Sequence, residues 1–171
     1  MIEKPEMLEI EDAKLLGGQF KNFSGKQTDF SREGDRYINI RIPADEAEDL
    51  SSKGWNIKCK APKEEGDEPL YYLKVNIKFK ADGGKKDPAI YKGVDPEHMR
   101  RVTVKNVSNL DREEFVKIDV VINPSYWSRS SGAEGISAYL DSMYCLIKGN
   151  RFTSKYTVVE DSYDDDVEDE D

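Results

Sequence analysis

The chain has 171 residues, of which 37% are hydrophobic and 36% are charged, enough for one domain with a strongly solvated surface. Its 35 Asp and Glu residues outnumber its 26 Lys and Arg residues, and the resulting net charge of -9 argues against a nucleic-acid binder. Its apolar runs are far shorter than the ~20 residues that span a bilayer, so we expect no membrane segment. The N-terminal residues lack a basic region followed by an apolar stretch, which predicts no secretory signal and a cytoplasmic location.

The negative charge is concentrated at the C-terminal end of the sequence. Residues 160–171 contain nine acidic side chains and no basic one, so the other 26 acidic residues balance the 26 Lys and Arg residues. A segment of this composition cannot bury enough apolar surface to fold. We therefore predict a folded domain over residues 1–157 and a disordered acidic tail over residues 158–171. The tail either serves solubility alone or competes as a polyanion for a basic groove in the same protein.

Most segments of the body alternate apolar and polar residues with period two, which is typical of strands that bury one face. The first half of the chain predicts a mixed opening strand, a second strand, a short helix between Pro43 and Gly54, and two further strands. The predicted bounds of these five elements are 7–16, 35–42, 44–53, 55–60 and 72–80.

The second half of the chain continues this pattern with less regular elements. Short strands over 88–91 and 102–105 precede a turn or short helix over 109–114. A strong strand begins at Phe115, and we expect it to end at Ile122 because Pro124 cannot donate to a sheet ladder. A loop of small residues over 128–135 and final strands over 136–147 and 151–159 complete the prediction.

Many short strands, few helices and frequent Gly and Pro residues predict an all-β fold, or β with minor α. A five-stranded Greek-key barrel with elaborated loops and one or two short helices fits the number of strands, and a β-sandwich is the alternative. Cys59 and Cys145 each lie in an alternating apolar pattern. In a reducing cytoplasm this pattern predicts two buried free thiols rather than a disulfide.

Signatures of catalysis are sparse in this sequence. Gly83-Gly84-Lys85-Lys86 lacks the spacing and the hydroxyl of a phosphate-binding loop, and a single histidine, His98, cannot form a zinc site with two distant cysteines. We therefore expect no catalytic residues, no metal and no cofactor. Internal carboxylates are the remaining option for a Mg²⁺-dependent nuclease, although their spacing selects no set. These carboxylates are Asp29, Asp35, Asp119 and Asp141.

Basic and aromatic residues recur at the non-core positions of successive predicted strands. If these strands are neighbours, their outer faces form one surface of cations and flat rings. Such a surface suits single-stranded nucleic acid, because cations neutralise phosphates while rings stack on unpaired bases. The alternative is a solvated face on which lysines only prevent aggregation. The candidate contact residues on these strands are Tyr37, Arg41, Lys58, Lys60, Tyr72, Lys74, Lys78 and Lys80.

Two connecting segments add residues of the same kind. Residues 20–36 combine three phenylalanines with Lys, Arg and Gly, which suits a loop that clamps a nucleic-acid backbone, and we assign Phe20 to the core. Residues 123–135 place a tryptophan beside small polar residues, either as a lid over the barrel or as a stacking platform. The candidate contact residues in these segments are Lys21, Phe23, Lys26, Arg32, Arg36, Trp127 and Arg129.

Several short motifs also occur in an order that resembles a known family. Together they are similar to the phage and prophage single-stranded-DNA-binding proteins of the OB-fold type, over about residues 8 to 157. The motifs are Phe20-Lys-Asn-Phe-Ser-Gly, Arg32-Glu-Gly-Asp-Arg36, Gly54-Trp-Asn-Ile-Lys58, Glu64-Glu-Gly-Asp-Glu-Pro69, Ile122-Asn-Pro-Ser-Tyr-Trp127 and Gly135-Ile-Ser-Ala-Tyr-Leu-Asp-Ser-Met-Tyr144.

This resemblance implies an OB-type barrel that coats single-stranded DNA, largely independently of sequence, during phage replication or recombination in the bacterial cytoplasm. Acidic tails are familiar in such proteins, and the composition of residues 158–171 itself predicts a competitor for the binding groove that recruits replication or recombination proteins once nucleic acid displaces it. The oligomeric state stays open, with a homodimer among the options. Two other classes of function fit the sequence. One is an interaction protein whose acidic tail mimics nucleic acid and inhibits a host DNA-binding factor, and the other is the metal-dependent nuclease.

Overall fold

The strands form where apolar and polar residues alternate in the sequence. The computed structural model describes residues 5–16, 21–29, 31–62 and 64–149. Their single α-helix, α1, spans Ala44–Ser52, and two 3₁₀ helices span Lys80–Asp82 and Val107–Arg112. Their nine strands are β1 (Leu8–Ile10), β2 (Lys21–Asn22), β3 (Arg36–Ile42), β4 (Ile57–Lys60), β5 (Leu70–Ile77), β6 (Ala89–Gly93), β7 (Arg100–Val102), β8 (Phe115–Ser128) and β9 (Glu134–Ile147).

Five segments of the chain close into a barrel. β3 pairs antiparallel with β5, β5 pairs in parallel with β9, and β9 pairs antiparallel with β8 along nearly its whole length. The N-terminal segment completes the ring, because β1 pairs with β8 and the residues that follow it reach β3 through a bridge between Leu15 and Ile40. The expected all-β fold with a five-stranded, OB-like barrel is confirmed.

The other strands extend this barrel at its edges. β2 pairs with β3, and β4 pairs with residues 70–73 of β5, next to the point where β5 meets β9. β6 pairs in parallel with residues 142–146 of β9, and β7 pairs with β6. The outer surface of the barrel therefore continues from β4 through β5 and β9 to β6 and β7.

The barrel interior is filled by one face of each strand. Ile38 and Ile40 of β3 lie opposite Val75 and Leu73 of β5, and these four side chains are almost completely buried. The alternation predicted for β3 and β5 is confirmed, and it turns the intervening polar residues outward. The long strands β8 and β9 complete the core with Ile118, Val120, Ile122, Ile136, Ala138, Leu140, Met143 and Cys145.

The helix α1 lies where the sequence places it, directly after Pro43. Ala47 and Leu50 are its buried residues, and they join the same core as the strands. Gly54 follows the helix with a φ of 107°, a left-handed conformation that favours glycine at a helix end. Its carbonyl accepts a hydrogen bond of 2.9 Å from the amide of Ile136, so the end of α1 is fastened to β9. None of the described helices is long and apolar enough to span a membrane.

The predicted strand end at Pro124 is wrong, because β8 continues through this residue to Ser128. β1 covers β8 only as far as Ile122, so β8 beyond that point pairs with β9 alone within the described chain. A proline is tolerated there because an edge strand can lose an N–H on its open side. The loop expected over 128–135 consequently shrinks to the turn 129–133, and Trp127 lies on a strand.

The weaker predictions of the second half shift by a few residues. The strand expected over 102–105 ends at Val102, because the amide of Thr103 donates to the Asn106 side chain and begins a turn. The short helix expected over 109–114 is the 3₁₀ helix that starts at Val107. The strand expected over 151–159, the core assignment of Phe20 and the acidic tail lie outside the described residues.

The two cysteines have different environments. Cys145 is completely buried in the core, as predicted, whereas Cys59 is exposed and that part of the prediction is wrong. Cys59 lines an open cleft between β4 and α1, together with Ala44 and Glu48. The helix covers the inner face of β4 only in part, so alternation in a strand this short did not ensure burial.

This difference predicts different reactivities for the two thiols. Burial raises the pKa of Cys145 to about 12, so at neutral pH this thiol carries its proton, whereas the Cys59 thiol is accessible. Titration with dithiobis-nitrobenzoate should modify Cys59 in the native protein and both cysteines in guanidinium. Cys59→Ser should abolish the native reaction, and Cys145→Ser should leave it unchanged. Equal modification rates for both thiols in the native protein would contradict the burial of Cys145.

Candidate nucleic-acid interface

The outer face of β3, β4 and β5 carries the predicted cations and rings side by side. The strand register sets Tyr72 of β5 between Lys58 of β4 and Arg41 of β3. Residues directly opposite each other in paired strands project from the same face. Lys58 and Arg41 are exposed and Tyr72 is half-buried, so the three side chains form a row of cation, ring and cation. Lys60, opposite Leu70, lies on the same face.

A second contact between a cation and a ring lies on this face. The ammonium Nζ of Lys74 is 4.8 Å from the centre of the Tyr37 ring, and both side chains are half-buried. Lys74 belongs to β5 and Tyr37 to β3, so their contact crosses the strand pair diagonally. We call the surface formed by Tyr37, Arg41, Lys58, Lys60, Tyr72 and Lys74 the primary face.

The primary face continues across the barrel through one row of residues. Tyr37 lies opposite Asn76, Asn76 opposite Tyr139 of β9, and Tyr139 opposite Asn123 of β8. The Asn76 side-chain amide also donates to the carbonyl of Ala138, at 3.0 Å. Tyr139 is half-buried and absent from the predicted contact residues. Its outward position was readable from the alternation of β9, in which its neighbours Ala138 and Leu140 are core residues.

The tip of the β8–β9 hairpin presents Trp127 and Arg129. Trp127 lies opposite Gly135, and a Cβ atom added at Gly135 would lie 2.6 Å from Cζ2 of the indole. The Arg129 guanidinium lies 5.3 Å from the ring centre. Since Gly135 and Tyr139 share one face of β9, the indole lies on the outer surface, as a stacking platform requires.

The loop over residues 23–35 carries two exposed cations, Lys26 and Arg32. Its shape depends on Asn22, a buried polar residue whose side chain accepts from the amide of Lys26 at 3.1 Å and donates to its carbonyl at 2.8 Å. Residues Gly25 and Gly34 close the base of the loop through a backbone hydrogen bond of 2.7 Å. The loop leads directly into β3 and so borders the primary face.

Phe23 is not a contact residue, and this prediction is wrong. Its ring has 0% exposure and packs edge-on against Phe115, with 6.1 Å between the ring centres. The carboxylate of Asp111 accepts hydrogen bonds from the amides of Phe23 and Ser24, at 2.6 and 3.0 Å. This contact fixes the backbone where the chain leaves β2, and the ring enters the core.

Lys21 and Arg36 are likewise used inside the protein rather than on its surface. Lys21 donates to the carbonyls of Leu110 and Glu113, and burial lowers the pKa of its ammonium. Arg36, whose side chain is only 14% exposed, donates from Nε to Asp82 at 3.0 Å and from Nη1 to the Phe23 carbonyl at 2.7 Å. The prediction that Lys21 and Arg36 are contact residues is therefore corrected, because these two cations hold the loop over residues 23–35 and the 3₁₀ helices in place.

Lys78 and Lys80 lie beyond the end of β5, which stops at Ile77 rather than continuing to residue 80. Both are exposed, and Lys78 precedes the first 3₁₀ helix, of which Lys80 is the first residue. The backbone amide of Lys80 donates to Asp87 at 2.8 Å. These two cations therefore lie at the end of the primary face rather than on its strands.

Two of the four carboxylates considered for a metal site, Asp119 and Asp141, are engaged in other contacts. Asp119 accepts from the Asp12 amide at 2.8 Å, and Asp141 accepts from the Asn123 side chain at 3.1 Å. The histidine, His98, pairs with Asp95 at 2.6 Å. In the part of the chain that the structure describes, no three His, Cys, Asp or Glu residues are placed to hold a metal ion.

Comparison with known proteins relates this chain to phage proteins. The single-stranded DNA-binding protein from bacteriophage Enc34 is 12% identical, with a TM-score of 0.49 over 92% of this chain and 89% of that one. Gp2.5, a single-stranded DNA-binding protein encoded by bacteriophage T7, is 11% identical, with a TM-score of 0.38 over 92% and 99%. No curated protein matches the chain by sequence. The family model described as "Putative phage ssDNA-binding domain" matches residues 1–171, and the chain therefore belongs to this family of phage single-stranded-DNA-binding domains.

Proposed function

We propose that this protein binds and protects single-stranded DNA during phage replication or recombination by holding the strand on the primary face. The observation that carries the proposal is the row in which Tyr72 lies between Lys58 and Arg41. Cations at this spacing neutralise phosphates, and the ring between them stacks on an unpaired base without reading its identity. Sequence-independent binding of this kind needs no catalytic group, so the protein acts as a binding protein and not as an enzyme.

From the primary face the DNA strand follows the outer surface of the barrel towards the tip of the β8–β9 hairpin. The row that contains Asn76 and Tyr139 joins the primary face to the side of the barrel that carries Trp127. Lys26 and Arg32 border the path from the loop over residues 23–35. The proposed contact set is Lys26, Arg32, Tyr37, Arg41, Lys58, Lys60, Tyr72, Lys74, Lys78, Lys80, Trp127 and Arg129, with Tyr139 added.

The acidic segment over residues 158–171 has a regulatory part in this proposal. Its nine carboxylates resemble the phosphates of DNA in charge, so it competes for the primary face while no DNA is bound. When DNA displaces it, the segment becomes available to replication or recombination proteins in the cytoplasm of the host. The folded domain over residues 1–157 and the tail thus divide binding and recruitment between them.

The first prediction from the proposed function concerns selectivity for single strands and the dependence of binding on salt. Because duplex bases are already stacked, the protein should bind oligothymidylate more tightly than duplex of equal length. Each neutralised phosphate contributes about -0.7 to the slope of log affinity against log salt on single strands, so ~4 contacts give a slope of about -3. Fluorescence anisotropy at several salt concentrations measures both quantities. Equal affinity for duplex, or binding independent of salt, would reject the proposal.

The second prediction separates ring stacking from folding. Tyr72→Ala should weaken binding to single strands by ~1–3 kcal/mol, whereas Tyr72→Phe keeps the stacking ring and should bind like the wild type. Tyr71 offers a matched control because it belongs to the same strand and lines the cleft against α1 on the opposite face. Tyr71→Ala should therefore spare DNA binding, with thermal unfolding recording any loss of stability. Equal loss of affinity in the two alanine variants would contradict the assigned face.

The third prediction tests autoinhibition by the tail. Removal of residues 160–171 changes the formal charge from -9 to 0 and should strengthen DNA binding, because both direct competition and long-range repulsion are lost. A tail peptide added in trans separates these effects. It should inhibit the truncated protein more than a scrambled peptide that keeps the charge but moves Tyr163 and Val167. Unchanged affinity after truncation would reject autoinhibition.

A further inference from the structure

A second group of rings and a cation lies on the outer surface, outside the primary face. Register places Tyr91 of β6 between Tyr144 of β9 and Arg101 of β7. The two tyrosine rings stack with 5.3 Å between their centres and an angle of 10° between their planes. The Arg101 guanidinium lies 5.5 Å from the centre of the Tyr91 ring. We call Arg101, Tyr91 and Tyr144 the second ladder.

The core does not require the second ladder. Tyr144 is 47% exposed and Arg101 is also exposed, while the neighbouring residues Ile90 and Cys145 are the ones that fill the interior. An exposed tyrosine ring stacked on a second ring, with a cation beyond it, is a ready platform for an unpaired base. The chemistry of the second ladder is therefore the chemistry of the primary face.

A bulge in β9 brings the second ladder to the same side of the sheet as Tyr139. Tyr139 and Tyr144 are five residues apart, so in a regular strand they would point to opposite faces. The pairing of β8 with β9 shifts between Val121 and Ile122, and Asp141 is the extra residue of β9 at this irregularity. Both tyrosines consequently face outward, about 16 Å apart along the strand.

A cation lies over the stretch of β9 between these two rings. Lys86, from the glycine-lysine segment 83–86, places Nζ 3.5 Å from the Asp141 carboxylate, and its side chain is 69% exposed. The Asp141 carboxylate also accepts a hydrogen bond from the Asn123 side-chain amide, so Lys86 and Asn123 share this carboxylate. The row from Tyr139 past Lys86 to Tyr144 therefore has the order ring, cation and ring, the converse of the cation, ring and cation in the row through Tyr72.

We propose that the second ladder extends the single-stranded DNA path, so that a strand leaving the primary face at Tyr139 passes Lys86 and stacks a base on Tyr144. The inference rests on the proposed function and deepens it, because it assigns the DNA a longer footprint. The Asp119 carboxylate, opposite Tyr144 on β8, repels phosphates. The sugar-phosphate backbone therefore runs on the Lys86 and Arg101 side, and the base lies on the ring.

Oligonucleotide length tests this extension. An oligothymidylate of about 6 nucleotides lies near the lower end of the ~4–16 nucleotides that one OB fold covers, and one of about 30 nucleotides exceeds the upper end. Tyr144→Ala should lower the affinity for the long oligonucleotide roughly 5- to 150-fold, which is the loss of one stacked base, and leave the affinity for the short one unchanged. Tyr144→Phe should bind both like the wild type. Lys86→Ala should weaken only binding to the long oligonucleotide and reduce its salt slope by about 0.7.

Lys53→Ala is the matched control for Lys86→Ala. Lys53 is also an exposed lysine paired with an aspartate, Asp49, but it lies at the C-terminal end of α1, directly after Ser52. The variant Lys53→Ala should change neither the affinity for either oligonucleotide nor the salt slope. Wild-type affinity of Tyr144→Ala for both lengths would overturn the extension and leave the primary face intact. Equal loss at both lengths would overturn it too, since the ring would then act on the primary face. A wild-type protein that bound neither oligonucleotide would instead overturn the proposed function itself.

Discussion

The barrel depends on a short parallel contact between β5 and β9. Only two residue pairs form it, Val75 with Ala138 and Asn76 with Tyr139, and the side chain of Asn76 strengthens it by donating to the Ala138 carbonyl. Without this contact the β3–β5 sheet and the β8–β9 hairpin would be joined only by the N-terminal segment and by the bonds beside Gly54, and each would have an open edge. The same contact makes the outer surface continuous, so closure of the core and continuity of the candidate interface have one cause.

The charged residues divide into those that hold the fold and those available to a ligand. Arg36 is bound to Asp82 and to the Phe23 carbonyl, and Asp111 holds the two amides that follow Asn22. Buried ionic contacts of this kind fix a loop in one conformation, because each partner left alone would be a desolvated charge. The cations that border DNA in the proposed complex can remain exposed because these internal pairs already position the loop.

The local sequence pattern was sufficient to predict elements that have one buried face and one exposed face. β3 and β5 were predictable because one side of each meets the core, and Ala44–Ser52 because Pro43 and Gly54 delimit it. Other features depend on distant neighbours. Pro124 continues a strand because β1 stops short of it, and Phe23 is buried because Asp111 holds its amide. Tyr139 joins the candidate site only through pairing between residues 63 positions apart in sequence, which alternation alone does not reveal.

The indole of Trp127 occupies the space where any side chain other than hydrogen at position 135 would begin. An indole that lies on a paired strand and packs directly over the glycine opposite it has few alternative orientations in the free protein. Binding a flexible polymer usually costs entropy on both partners, since side chains and ligand are ordered together. At Trp127 this ordering is completed during folding, so in the proposed complex a base that stacks on the indole would cost little conformational entropy on the protein side.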